Sequence, residues 1–182
     1  TVNMPYRVIG GPRFYERKEI KDAIAYFEVI FNSANDLKFE RIINTPKRGL
    51  GEASLRPIYD YARSRNIPLV ESARALMDTE ELRPAERRSN TILMDHFDHW
   101  SSMAQMMDHT ELAQIILDES GYTAMWQKDK SPQAPGRLDN LKELVRFMEE
   151  FDSMAGFLEH VSLVMDVDTG NDGERVSLMT LH

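Results

Sequence analysis

From Glu16 to Met165 the apolar residues recur at intervals of three and four, and this regularity restricts the chain to a mainly α fold. Ile20, Ile24, Phe27 and Phe31 form the first series, and Leu37, Phe39, Ile42 and Ile43 a short second one. Leu55, Ile58, Tyr59 and Ala62 mark a third helix, ending near Arg65. Pro68 opens another, reaching about Met77. Pro84 suits the first turn of a long helix with Ile92, Leu93, His96, Trp100, Met103 and Met107 on one face. Thr110 can cap the next, which carries Leu112, Ile115 and Ile116. Lys128 to Gly136 holds two prolines and reads as a loop. Leu138, Leu141, Leu144, Val145 and Met148 predict a helix over 137–151, and Ser153 caps a last one with Phe157, Leu158, Val161, Val164 and Met165.

Only the two ends leave this period. Tyr6 to Gly11 alternates and breaks at Gly-Gly-Pro, a short strand and turn. Asp166 to Gly173 is acidic and contains glycine, as a linker would, and Val176 to His182 reads as a strand. Two isolated strands make no stable sheet. They are expected to complete a sheet-containing domain into which the helical domain is inserted. The expected division is 1–15 (strand and turn), 16–168 (helical domain) and 169–182 (return linker and strand).

With no cysteine the chain has no disulfide framework, thiolate metal site or cysteine nucleophile. No apolar run approaches the length of a membrane span. No signal-peptide pattern opens the chain and residue 1 is not Met, so a soluble, intracellular protein is expected, a piece of something larger. The net charge of −8 is unevenly spread. Residues 1–65 hold twelve basic and eight acidic side chains, and residues 66–182 hold ten and twenty-two. One end is therefore permitted to face a polyanion while the remainder is solvated.

The segment with most chemistry in it is Thr45-Pro46-Lys47-Arg48-Gly49-Leu50-Gly51, a tight loop between two predicted helices. Its glycines allow positive φ and close backbone approach. Leu50 between them can plug the core. The amides opening the next helix point outward unpaired, carry partial positive charge and suit a phosphate. Lys47 and Arg48 add full charges, and Ser54 a hydroxyl donor. A helix-hairpin-helix holds a duplex backbone in this way without reading bases. The alternative is a plain helix-to-helix turn with solvated cations, and Glu52 stands where a phosphate would approach.

Other clusters carry less. Arg13, Arg17 and Lys21 are expected to pair with Glu16 and Glu19. No G-x-x-x-x-G-K-[ST] loop occurs. Asp166 to Glu174 hints at a calcium loop, but the sixth and twelfth positions hold Asn171 and Ser177 where Gly and Glu are required. His96 and His99 could share a helix face, yet no second ligand cluster supports a metal. Trp100 and Trp126 fit a core better than a base-stacking platform.

Five stretches together resemble UvrD/PcrA/Rep-type superfamily 1 DNA helicases. Pro5 to Asp22 resembles the motif near the start of their second motor domain. Thr45 to Gly51 is similar to their Gly-Ile-Gly duplex-binding loop in subdomain 2B, with Leu50 for Ile. Val176 to His182 resembles the opening of motif V, while Arg137 to Leu144 and Phe157 to Leu163 resemble the end of subdomain 2B. Residues 66–130 match more loosely.

The resemblance implies a helical 2B accessory subdomain flanked by edges of a RecA-like motor domain, 2A. It implies a parent that moves 3′ to 5′ on DNA in repair or replication restart, in the cytoplasm at the bacterial nucleoid. ATP and Mg²⁺ are implied for that parent and no cofactor for these residues, which lack the nucleotide site and are expected to be inactive alone. Thr45, Lys47, Arg48, Gly49, Leu50, Gly51 and Ser54 would meet duplex phosphates. Thr180, His182 and Arg13 would lie near single-stranded DNA. DNA-repair proteins are implied as partners, and the alternative role is a protein-interaction module presenting the acidic residues 66–182.

Overall fold

A computed structural model of the chain describes residues 11–172, all of them helix, turn or loop. In order, they form α1 (Pro12–Tyr15), α2 (Lys18–Phe31), α3 (Asp36–Ile42), α4 (Glu52–Arg65) and α5 (Leu69–Ala75). A single 3₁₀ turn (Leu76–Asp78) leads to α6 (Pro84–Met103), α7 (His109–Glu119), α8 (Tyr122–Lys128), α9 (Ala134–Met148) and α10 (Met154–Asp172). Among the described residues no helix is long and apolar enough to cross a membrane.

The architecture is organised around α2. Ile20, Ala23, Ile24, Ala25, Tyr26, Phe27 and Val29 are all buried, so apolar residues cover more than one face of this helix. It packs against α3, α6, α7, α9 and α10, which enclose it. Each large apolar side chain so enclosed contributes about 1.5–3 kcal/mol. Three polar residues of α2 are buried with them, and each is matched. Asp22 accepts from Arg41 Nε at 2.7 Å and from the Tyr122 hydroxyl at 2.7 Å. Glu19 accepts from Asn140 Nδ2 at 2.7 Å and Arg137 Nη1 at 3.2 Å. Tyr26 reaches the loop before α4. The buried charges tie α2 to α3, α8 and α9 in one arrangement, since either carboxylate without its donors would be costly.

Several expectations are corrected. Glu19 pairs with Arg137, more than a hundred residues away, and not with Arg13, Arg17 or Lys21. Phe31, Leu37 and Ile92 are exposed. The buried stripe of α6 is Asn90, Leu93, Met94, Phe97 and Trp100, and Ile92 stands one residue, about 100°, off it. Met107 lies beyond the end of α6. Asp108, not Thr110, caps α7, because its carboxylate can accept from the Thr110 amide at 3.0 Å. Pro12 to Tyr15, expected as a turn, forms α1, with Phe14 and Tyr15 buried. Asp166 to Asp172, expected as linker, continues α10. Once packed at Phe157 and Val161, the helix propagates at a cost of only about 1 kcal/mol for Gly170. The expected strands around Tyr6 and from Val176 to His182 lie outside the described residues.

Other expectations agree with the structure: Pro84 opens α6, the Ser153 hydroxyl accepts from the Gly156 amide at 3.1 Å in the first turn of α10, and both tryptophans are in the core. His96 stacks on Trp100 with ring centroids 5.2 Å apart.

Candidate nucleic-acid interface

The loop between α3 and α4 is built by one side chain from within. Asn44 Oδ1 accepts from the Arg48 amide at 2.7 Å and the Leu50 amide at 3.2 Å, folding residues 44–50 around itself. The Thr45–Pro46 peptide is cis. Gly49 follows with φ 72°, a conformation that favours glycine. Leu50 then turns inward and is fully buried, as its position between two glycines suggested. Gly51 is the N-cap of α4 and supplies no side-chain acceptor. Its carbonyl accepts from the Ser54 and Leu55 amides. Among the described residues this leaves the Glu52 and Ala53 amides, first in α4, without an acceptor.

The two cations of the loop part company. Lys47 is exposed, with no ion pair among the described residues. Arg48 folds back, where a second charge toward a phosphate was expected. Its Nη1 donates to the carbonyls of Ile42 (2.9 Å), Ile43 (3.3 Å) and Pro46 (3.4 Å). Its Nη2 donates to the Tyr26 hydroxyl and to the Ser120 carbonyl at 3.0 Å. Ile42 ends α3 and Ile43 is its C-cap, so the guanidinium caps the negative end of that helix. The Tyr26 hydroxyl passes the chain on by donating to the Thr45 carbonyl. Burial is the main cause raising the Tyr26 pKa above its ordinary value, against the Arg48 charge, which lowers it. The phenol therefore keeps its proton and serves as donor and acceptor at once.

Ser54, expected to offer its hydroxyl outward, is buried and donates to the Gly49 carbonyl at 3.4 Å. Glu52 is exposed in the first turn of α4, beside a shallow groove that it shares with Arg56, Tyr59, Asp60 and Arg63. Arg13 is exposed on α1, ahead of the start of α2. The loop meets α2 at Tyr26, about 12 Å further along that helix, and Arg13 makes none of the loop's hydrogen bonds. Thr180 and His182 lie outside the described residues. Among the described residues no three His, Asp or Glu side chains are placed to share a metal.

Gly51 is the informative position. Its φ is −77°, which any residue adopts, and a Cβ there would meet nothing within 4 Å. Neither backbone conformation nor packing in the described fold demands glycine. Open space lies in front of it, beside the free amides of Glu52 and Ala53. Asn44, Tyr26 and Ser120 were not expected to build the site. An asparagine ending a helix is a weak signal of a side chain that organises a turn, whereas nothing local ties Tyr26 or Ser120 to a loop 22 and 72 positions from them at Arg48.

The whole chain, residues 1–182, matches the family described as the UvrD-like helicase C-terminal domain. A probable DNA helicase II homolog of Rickettsia conorii is 39% identical over 181 residues, which cover 98% of this chain and 28% of the relative. DNA helicase II of Rickettsia typhi is 40% identical over 181 residues, with the same coverage of 98% and 28%. The ATP-dependent DNA helicase PcrA of Staphylococcus epidermidis is 34% identical over 188 residues, or 99% of this chain and 26% of the relative. The chain thus spans about a quarter of the length of the curated relatives it matches.

Proposed function

Since the chain belongs to the UvrD-like helicase C-terminal domain family, we propose that it forms the helical 2B accessory subdomain of a 3′-to-5′ ATP-dependent DNA helicase and holds duplex phosphates at the loop before α4. The relatives named above are DNA helicases, and motor activity with its ATP and Mg²⁺ is assigned to a longer parent acting in repair or replication restart. In this reading the α3–loop–α4 unit is a helix-hairpin-helix element. The amides at Gly51, Glu52 and Ala53 and the ammonium of Lys47 take the phosphates. Arg13, Thr180 and His182 are assigned to the single-strand path on resemblance alone.

The observation that carries the proposal is the glycine at 51, which the fold does not require and a close-lying backbone does. It stands at a helix N-terminus, where two bare amides and the helix dipole favour an anion. Such contacts fix position on a duplex and carry no base sequence. Glu52 and the acidic bulk oppose the approach, so binding is expected to be weak and salt-sensitive.

Fluorescence anisotropy of a labelled duplex titrated with the 182-residue chain tests this, with Lys47→Glu beside it. Salt-dependent duplex binding that Lys47→Glu abolishes is expected, with the helical circular dichroism unchanged. Binding that ignores Lys47→Glu contradicts the assignment.

A further inference from the structure

We infer that Arg48 is a positioning residue of the duplex-binding loop, acting through Tyr26 and the Ser120 carbonyl, and not a phosphate ligand. The inference rests on the proposed function and deepens it. Among the described residues every hydrogen bond of the guanidinium goes to the protein's own acceptors: the Ile42, Ile43 and Pro46 carbonyls on one nitrogen, the Tyr26 hydroxyl and Ser120 carbonyl on the other. A guanidinium has five N–H groups in a fixed fork, and with both terminal nitrogens engaged only the Nε–H is left, so Arg48 has no forked pair of donors to offer a phosphate.

The fork joins three separate parts of the fold. Ile42 ends α3 and Ile43 is its C-cap, Tyr26 belongs to the enclosed helix α2, and Ser120 is the C-cap of α7. The same corner lies close behind the loop at a second point, where a Cβ added at Gly121 would stand 3.7 Å from Pro46 Cγ. Gly121 has φ 81°, which fixes the chain's sharp passage from α7 to α8 behind the loop. The loop is thus backed by α2 and by the α7–α8 corner, and Arg48 fastens it to both. Free amides capture an anion well only when held in place beforehand, so the fastening is expected to appear as affinity.

Tyr26 makes the idea testable, for it is fully buried and cannot touch DNA. Tyr26→Phe deletes the one hydroxyl that links Arg48 to Thr45. Duplex affinity should fall about threefold to tenfold, the worth of one hydrogen bond, with the slope of log K against log salt unchanged. Arg48→Gln should weaken binding with the same unchanged slope, and the double variant should be no weaker than the worse single one. Lys47→Gln, by contrast, should lower the slope by about one.

Wild-type affinity in folded Tyr26→Phe, or a slope lowered by about one in Arg48→Gln, overturns the inference while Lys47 keeps its role. Should Arg48→Gln not fold, Tyr26→Phe decides alone. Absence of duplex binding by the wild-type chain overturns the proposed function and this inference together.

Discussion

Arg48 Nη2 donates to the carbonyl of Ser120 across 3.0 Å and seventy-two residues of sequence, so the loop before α4 is fastened to the end of α7. A loop so held presents a fixed set of amides. Its outward features are then few: Lys47, the glycines and the start of α4.

Gly51→Ser separates fold from function. Serine is a preferred N-cap residue, the backbone at 51 suits it, and a Cβ there meets nothing. Stability in urea should hold or rise by a few tenths of a kcal/mol. Duplex affinity should fall, because the new side chain occupies the space a phosphate would use. Equal affinity in Gly51→Ser leaves the glycine without a role.

The buried pair at Asp22 should dominate the polar contribution to stability. Asp22→Ala strips the Tyr122 hydroxyl of its acceptor and Arg41 of its partner. Arg41 is 35% exposed and is rehydrated, so the expected loss is about 2–3 kcal/mol, short of what a fully enclosed pair would lose. Tyr122→Phe should cost less than Asp22→Ala. Equilibrium unfolding of both variants checks the order.

Alkaline pH should unfold the domain through its tyrosines. Burial pushes Tyr15 up to about 12, and burial likewise raises Tyr26 and Tyr122 above the ordinary 10.0. Above pH 10 the unfolded chain releases these protons while the folded chain keeps them. Stability they confer is full below pH 10 and is lost as pH climbs toward 12. The melting temperature should therefore drop steeply between pH 10 and 12, and Tyr15→Phe should reduce the drop.

Much of the fold was legible because helical period reports burial directly. The series Ile20, Ile24 and Phe27 and the series Leu141, Leu144 and Val145 are core in the structure as they are in the sequence. Apart from Ile92 in the middle of α6, the errors of burial fell at the ends of helices. Phe31 and Leu37 keep the period but face water where α2 and α3 turn, and α10 outruns its glycine. Period carries no information on whether a neighbouring element covers a given face. The candidate loop was legible from its glycines and cations. What Arg48 does was not, because its acceptors are mostly backbone carbonyls, which every residue has, and its deepest partners lie on α2 and α7. Glu19 shows the same limit: its partners Arg137 and Asn140 stand in no sequence relation to it.

The most direct measurement is a nitrogen-15 amide chemical-shift titration of the chain with a short duplex. Shifts concentrated at Lys47, Gly49, Gly51, Glu52 and Ala53, with α9 and α10 quiet, are expected. Shifts confined to the acidic helices beyond residue 66, with the loop silent, would contradict duplex binding at this site.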